Sequence, residues 1–280
     1  MPAVTDRVPP PSAVLEVAAR RLRAGRAQEE RDRIAVEAPL EIRFDGRPFT
    51  VLLRTPGHDE ELVAGFLYTE EIVGDASGVL SLGHPESLLD GDCANVIDVR
   101  LAPGRAEVPA ARTFYAAAGC GVCGKSSIAD LAIRAPALTS RLTVPSALLE
   151  SLPERLRAEQ RGFDATGGLH AAGLFDAEGR LLAAREDVGR HNAVDKLVGW
   201  ALGEGRLPAS GCVLVVSGRL GFEIVQKAIV AGIPVVGAVG AASSLAVALG
   251  ESHRVTLAAF LRPGSMTVFG ETARILPAAL

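Results

Sequence analysis

Hydrophobic and polar positions along the chain first fall into order at Arg33. Ile34 and Val36 are followed by Leu40-Glu41-Ile42-Arg43-Phe44, a period of two that predicts a half-buried strand. Asp45-Gly46 is a hairpin signal, and Phe49-Thr50-Val51-Leu52-Leu53 is the expected returning strand. Thr55-Pro56-Gly57-His58 then breaks the strand. Asp59 is expected to cap a helix over residues 60–68, where Leu62, Val63, Phe66 and Leu67 form one stripe. His58 reads as a structural or capping histidine. Residues 94–101 predict another strand, and Cys93 before it reads as a small buried filler.

The second half carries stronger periodicity. Residues 141–161 predict one amphipathic helix, opened by Pro145-Ser146, carrying Leu148, Leu149, Leu152 and Leu156, with a break at Pro153. The segments 166–175 and 181–184 read as two strands around a turn at Asp176 to Gly179. Residues 185–197 are then almost all charged or polar between apolar elements. They read as a site-lining turn into a helix from Ala193 to Leu202, with Asp187, Arg190, His191 and Lys196 as site candidates against a structural ion-pair network. Strands over 212–216, 233–239 and 255–261, separated by helices over 222–230 and 245–250, imply a parallel sheet. Cys212 opens the first of these strands and reads as buried and inert. Open α/β sheets bind ligands beyond their C-terminal strand ends. That rule puts Ser217-Gly218-Arg219, Gly240 to Ser244 and Arg262-Pro263-Gly264-Ser265 on one rim, suited to an anionic ligand such as a nucleotide. Neither a Walker A nor a GxGxxG order is present.

Composition narrows the class. With 280 residues the chain can build a large core in two domains, and its net charge of −4 gives no support for a general nucleic-acid or membrane partner. The longest apolar stretch, 228–249, is interrupted by Gly232, Pro234, Gly237 and Gly240, so no transmembrane span is expected. Four cysteines and no signal-peptide core point to a reducing cytoplasm. Residues 1–30, with Pro9-Pro10-Pro11 followed by Arg20, Arg21, Arg23 and Arg26, read as a flexible leader with some helix. A small α+β domain is expected over 31–112, a glycine-rich loop over 113–127, and an α/β ligand-binding domain over 128–280.

That loop holds the candidate chemistry. Cys120 and Cys123 lie among Gly119, Gly121 and Gly124, ahead of Lys125 and a helix-like run from Ile128. A helix start and a cation both favour thiolate over thiol. The pair alone fits a redox dithiol, half a zinc site, a persulfide carrier or a plain turn. His170 and His191 could complete a zinc set, but no second paired motif exists and no metal is expected. Zinc deaminase chemistry needs H-x-E and P-C-x-x-C. Here Ala171-Ala172 follows His170, and Gly119 precedes Cys120.

Taken together, Gly119 to Gly124, Glu186 to Leu197, Ser217-Gly218-Arg219, Phe222 to Ala228 and Phe260 to Ser265 resemble the FdhD family of formate dehydrogenase accessory sulfurtransferases, over about residues 38–269. The resemblance implies a small α+β domain beside a three-layer α/β/α domain like that of cytidine deaminases, without the zinc site. It implies transfer of sulfane sulfur from a cysteine desulfurase, as a cysteine persulfide, to the molybdenum cofactor bis-molybdopterin guanine dinucleotide, for formate dehydrogenase. Cys120 would carry the persulfide and Cys123 would assist. Phe260, Leu261, Arg262, Pro263, Gly264 and Ser265 would bind the cofactor, joined by Ser217, Gly218 and Arg219. Ser265 departs from the more basic residue of relatives, so Arg262 or Arg219 would supply that contact. Lys125, His170, Asp187, Arg190, His191 and Lys196 are site-lining candidates, and a homodimer is implied. The competing classes are a cofactor-binding chaperone with a redox-sensing cysteine pair, and a disulfide oxidoreductase.

Overall fold

A computed structural model describes residues 13–86, 93–104 and 134–277. The cysteine-pair loop lies outside the described residues, as do residues 1–12. The rest of the expected leader is not helical. Val14–Arg23 (β1) and Arg26–Ala35 (β2) pair antiparallel along their whole length, from Val14 opposite Ala35 to Arg23 opposite Arg26. Ala24 and Gly25, both at positive φ, make the turn. Arginine and alanine favour helix locally, but cross-strand ion pairs such as Arg20–Glu29, Arg21–Glu30 and Arg31–Glu16 match this ladder.

Asp45-Gly46 behaves as its chemistry requires. Both residues sit at positive φ, +49° and +77°, and join Ala38–Phe44 (β3) to Arg47–Arg54 (β4). Asp59–Thr69 (α1), Val79–Gly83 (β5) and Val96–Leu101 (β6) complete this unit, a four-stranded sheet in the order β4-β3-β6-β5. Asp59 does not cap α1. His58, in the left-handed region at φ +56°, holds the cap position without a side-chain capping bond to the helix N–H groups. The Asp59 carboxylate instead grips the fully buried Arg54 guanidinium at two points, 3.0 and 2.8 Å.

Val144–Pro145 (β7) and Ser146–Arg157 (α2) open the second unit. The expected single helix divides here. α2 runs through Pro153 with Leu149, Leu152 and Leu156 buried, and Arg161–Thr166 (α3) follows separately. Then come His170–Phe175 (β8), Leu181–Asp187 (β9), Arg190–Gly203 (α4), Val213–Val216 (β10), Phe222–Val230 (α5), Val235–Ala238 (β11), Ser244–Ser252 (α6), Thr256–Arg262 (β12), Ser265–Gly270 (β13) and Ile275–Leu276 (β14). Six strands form one mixed sheet, β13-β12-β11-β10-β8-β9. β10, β11 and β12 are parallel as predicted, while β8, β9 and β13 run antiparallel to their neighbours. Strand alternation splits the core. Ala171, Phe175, Val213, Val215, Val235 and Ala258 pack with α2. Ala172, Leu174, Leu214, Val216, Val236 and Ala259 share the other core with α4 and α5.

That second core is continuous with the four-stranded unit, because α1 packs on α4 at backbone contact. A β-carbon on Gly65 would lie 1.8 Å from the Asp195 carbonyl oxygen, and one on Gly199 would lie 1.9 Å from that of Glu61. Beside this crossing, Lys227 Nζ reaches Asp195 Oδ1 at 2.8 Å and Thr69 Oγ1 at 3.0 Å, with every partner buried. Gly65→Ala or Gly199→Ala is therefore expected to cost about 3 kcal/mol by forcing the helices apart. Gly203→Ala, where a β-carbon meets open space, serves as the control. Urea midpoints of the three variants provide the check, and equal midpoints would exclude the close crossing.

Candidate functional site

The mixed sheet presents one populated edge. β10, β11 and β12 end there, antiparallel β9 ends there, and β8 begins there. The loops beyond these ends are stitched together. Ser217 N–H donates to the Ala171 carbonyl, and Ser217 Oγ accepts from the Ala171 N–H, both at 2.9 Å. Gly240 N–H donates to the Gly218 carbonyl at 2.9 Å, and Phe260 N–H donates to the Gly240 carbonyl at 3.0 Å. Gly240 has to be glycine, since a β-carbon there would sit 2.9 Å from the Gly218 carbonyl and 3.0 Å from Arg219 Cγ. Phe260 holds φ +52° beside a register shift in β12, and the residue is 49% exposed. Left-handed backbone in an aromatic residue stores strain of about 1–3 kcal/mol, and such residues concentrate at ligand clamps.

His170 and Arg190 meet at Gly218. His170 Nδ1 and Arg190 Cδ each lie 3.6 Å from where a Gly218 β-carbon would stand. Burial, then the nearby Arg190 and His191, hold the His170 pKa below its ordinary value, with Asp187 acting in the opposite sense. A neutral imidazole therefore faces the rim at neutral pH. His191 is buried, with Nε2 at 3.5 Å from Glu223 Oε2 but without hydrogen-bond geometry. Arg190 Nε is also buried, with no hydrogen-bond partner among the described residues. The helices that begin here, α4 at Gly189 and α5 at Gly221, have no side-chain caps.

The remaining candidates separate. Asp187 and Lys196 do not face the rim. They form a buried ion pair at 2.7 Å, in which Asp187 also accepts from the N–H groups of Thr55 and Gly189 and from Asn192 Nδ2, while Lys196 donates to the Thr55 carbonyl at 2.8 Å. Their charges are spent on joining β9 and α4 to the end of β4. Leu261 is fully buried against the α2 side of the sheet, so its side chain belongs to the core. Arg262, Pro263, Gly264 and Ser265 form the exposed β12–β13 turn, where Gly264 N–H donates to Glu150 Oε2 at 3.0 Å. Arg219 is exposed on the rim. Cys120, Cys123 and Lys125 lie outside the described residues. Cys212 is half-buried, and burial raises its thiol pKa, as suits an unreactive thiol.

Sequence reasoning missed Glu223, which reads simply as a helix-start acid, and the Thr55 backbone as hub of the Asp187 network. It also missed Glu61, which holds Arg185 through two contacts, 2.5 and 2.7 Å, and lies 3.2 Å from His58 Nδ1. Burial opposes ionisation of Glu61, but Arg185 and His58 outweigh it and draw the pKa from 4.5 to about 2. Nearby, a cavity of about 300 Å³ lies between the Thr55–His58 turn, the α2–α3 junction and strands β8 and β9.

The fold and its edge define a mixed α/β protein with a basic, glycine-lined rim built from the strand ends of one sheet. A sequence model of the FdhD/NarQ family matches residues 35–276, and the chain belongs to that family. It is 50% identical over 260 residues to a protein of Mycolicibacterium paratuberculosis named sulfur carrier protein FdhD, covering 91% of this chain and 96% of that one. A Streptomyces avermitilis protein of the same name is 48% identical, covering 91% and 93%. A crystal structure from Desulfotalea psychrophila, described as a candidate formate dehydrogenase accessory protein, superposes with a TM-score of 0.73 at 26% identity, covering 95% of this chain and all of that one. Among the described residues no helix is long and apolar enough to cross a membrane.

Two outcomes test the electrostatic scaffold. Lys196→Met leaves the Asp187 carboxylate buried and unpaired and is expected to cost about 3–5 kcal/mol in denaturant unfolding. A loss under about 1 kcal/mol would show that the pair is not buried as described. Because Glu61 ionises lower when folded, its contribution is complete above about pH 4.5 and is lost as pH falls toward about 2. Over that window the stability of Glu61→Gln should fall less steeply than that of the wild type, and parallel curves would count against the Arg185 pairing.

Proposed function

We propose that this protein is a sulfur carrier. It accepts sulfane sulfur from a cysteine desulfurase as a persulfide on Cys120 and delivers it to the molybdenum cofactor, bis-molybdopterin guanine dinucleotide, destined for formate dehydrogenase. One observation carries the reading: relatives matching nearly the full chain are named sulfur carriers, and the family match spans Cys120 and Cys123.

The chemistry balances. The Cys120 thiolate attacks the terminal sulfur of the donor persulfide. The donor S–S bond breaks, the donor cysteine leaves as thiolate, and a new S–S bond forms on Cys120. Delivery as sulfide requires two electrons. The Cys123 thiolate attacks Cys120 Sγ, forms the Cys120–Cys123 disulfide and expels hydrosulfide toward the acceptor, and a cellular dithiol then reduces the pair. Lys125 would offset the persulfide charge. The rim suits the acceptor as substrate. The strained, exposed Phe260 offers a stacking surface for a guanine ring, and Arg219 and Arg262 are exposed for phosphate. A cytidine-deaminase-type fold without zinc, a cytoplasmic location and a homodimer belong to the same reading.

Intact-mass spectrometry after incubation with a cysteine desulfurase and cysteine tests it. The expected result is a reducible gain of about one sulfur atom in the wild type, absent from Cys120→Ala and retained in Cys123→Ala. Loss in Cys123→Ala alone would exchange the two roles. No gain in the wild type would overturn the carrier reading in favour of a cofactor-binding chaperone, and turnover of dithiol substrates instead would favour a disulfide oxidoreductase.

A further inference from the structure

The cavity beside the Thr55–His58 turn has no part in the sulfur chemistry. It lies on the α2 face of the mixed sheet and shares no lining residue with the rim turns at 217–219, 240–244 and 262–265. At about 300 Å³ it is at the lower end of the range for small-ligand pockets. Part of its lining is apolar, supplied by Leu156, Leu169, Ala171 and Ala184.

The polar part is set apart by which groups are left unused. Arg185 and Lys196 line the cavity, but their donors are spent. Arg185 holds Glu61 through Nε and Nη2 and gives Nη1 to the Ala184 carbonyl. Lys196 is held by Asp187 and the Thr55 carbonyl. His58 Nδ1 lies 3.2 Å from Glu61. These cations are therefore balanced by carboxylates that do not line the cavity. The lining acceptors have no such balance. Exposed Glu159 has no ion pair or side-chain hydrogen bond among the described residues. Glu186 accepts from the N–H groups of Gly162 and Phe163, each at 2.8 Å, and a carboxylate with four lone-pair positions keeps two of them free. Gln160 is only 5% exposed and holds the cap position of α3 without capping it, because Glu186 has taken that role. Its side-chain amide lines the cavity and makes no hydrogen bond among the described residues. A buried amide in that position is expected to meet a partner when the cavity is filled.

We infer that this cavity binds a small organic cation, an ammonium, amidinium or guanidinium group on a short apolar body. The body rests against the leucine and alanine side, and the head donates to Glu186, Gln160 and Glu159. Hydrogen bonds from a cation to a carboxylate are about twice as strong as neutral ones. An anion is excluded, because Arg185 and Lys196 already have partners and the two lining carboxylates repel it. The inference stands on the cavity alone and does not depend on the sulfur-carrier reading.

Isothermal titration of the full-length protein at neutral pH with three probes of one shape tests the site: benzamidine, a cation; benzamide, its neutral counterpart; and benzoate, an anion. Benzamidine should bind the wild type at least fivefold more tightly than benzamide, and benzoate should not bind. Glu159→Gln and Gln160→Leu should each weaken benzamidine at least fivefold, whereas Glu178→Gln, an exposed carboxylate away from the cavity, should match the wild type. In the wild type, benzamidine should slow amide exchange at residues 160–163 and 185–187, a readout that survives if a variant fails to fold. A smaller margin over benzamide, or binding of benzoate, would overturn the assignment to a cation. No binding of benzamidine, binding indifferent to Glu159 and Gln160, or protection that falls instead on the rim at residues 222–224 would overturn the site.

Discussion

The buried pair of Asp187 and Lys196 ties the end of β9, the first turns of α4 and the backbone of Thr55 into one unit. Two opposite charges taken fully out of water are tolerable only when every lone pair and proton is satisfied. Here Asp187 accepts four hydrogen bonds, and Lys196 has two carbonyl neighbours besides the carboxylate. The pair therefore fixes geometry more than it adds stability. It sets where α4 begins, and so where Arg190 and His191 stand relative to the rim.

The same logic recurs around α1. Arg54 with Asp59, Arg185 with Glu61, and Lys227 with Asp195 each join residues of different elements through partly or fully buried contacts. The Gly65–Gly199 crossing lets the α1 and α4 backbones touch, which brings Thr69 within 2.7 Å of Asp195. Burial holds the Asp195 pKa above its ordinary value, and Lys227 and Thr69 offset only part of that. Small residues at the crossing and charged residues around it make the two sheets a single packed body.

Much of this was legible in the residues. The Asp45-Gly46 turn, the α5 span and the strand–helix alternation of the last third follow from local chemistry that the tertiary structure leaves intact. The β1–β2 ribbon was not legible, because arginine and alanine prefer helix and only pairing with the opposite strand reverses that preference. The charged block 185–197 announced itself by composition, but composition cannot say which charges find partners. Asp187 and Lys196 are satisfied by a backbone more than a hundred residues away in sequence, whereas Arg190 Nε and His191 Nε2 have no hydrogen-bond partner among the described residues. Leu261 shows the opposite limit: a motif position can belong to the core on its side chain and to the rim only through its neighbours.

The β1–β2 ribbon has a consequence for how the protein behaves in a crowded solution. Its two strands form a sheet of their own, with no third strand among the described residues, and Leu15 and Leu22 are exposed. Long open edges of this kind recruit strands from other molecules. β1 carries Glu16, Arg20, Arg21 and Arg23, and β2 carries Arg26 and the run Glu29 to Arg33, so an incoming strand would have to bury or misalign charge over much of its length. Exposed pairs of this sort add little to folding free energy. Their larger effect is on colloidal behaviour: they keep a self-complementary ribbon from becoming the seed of an aggregate.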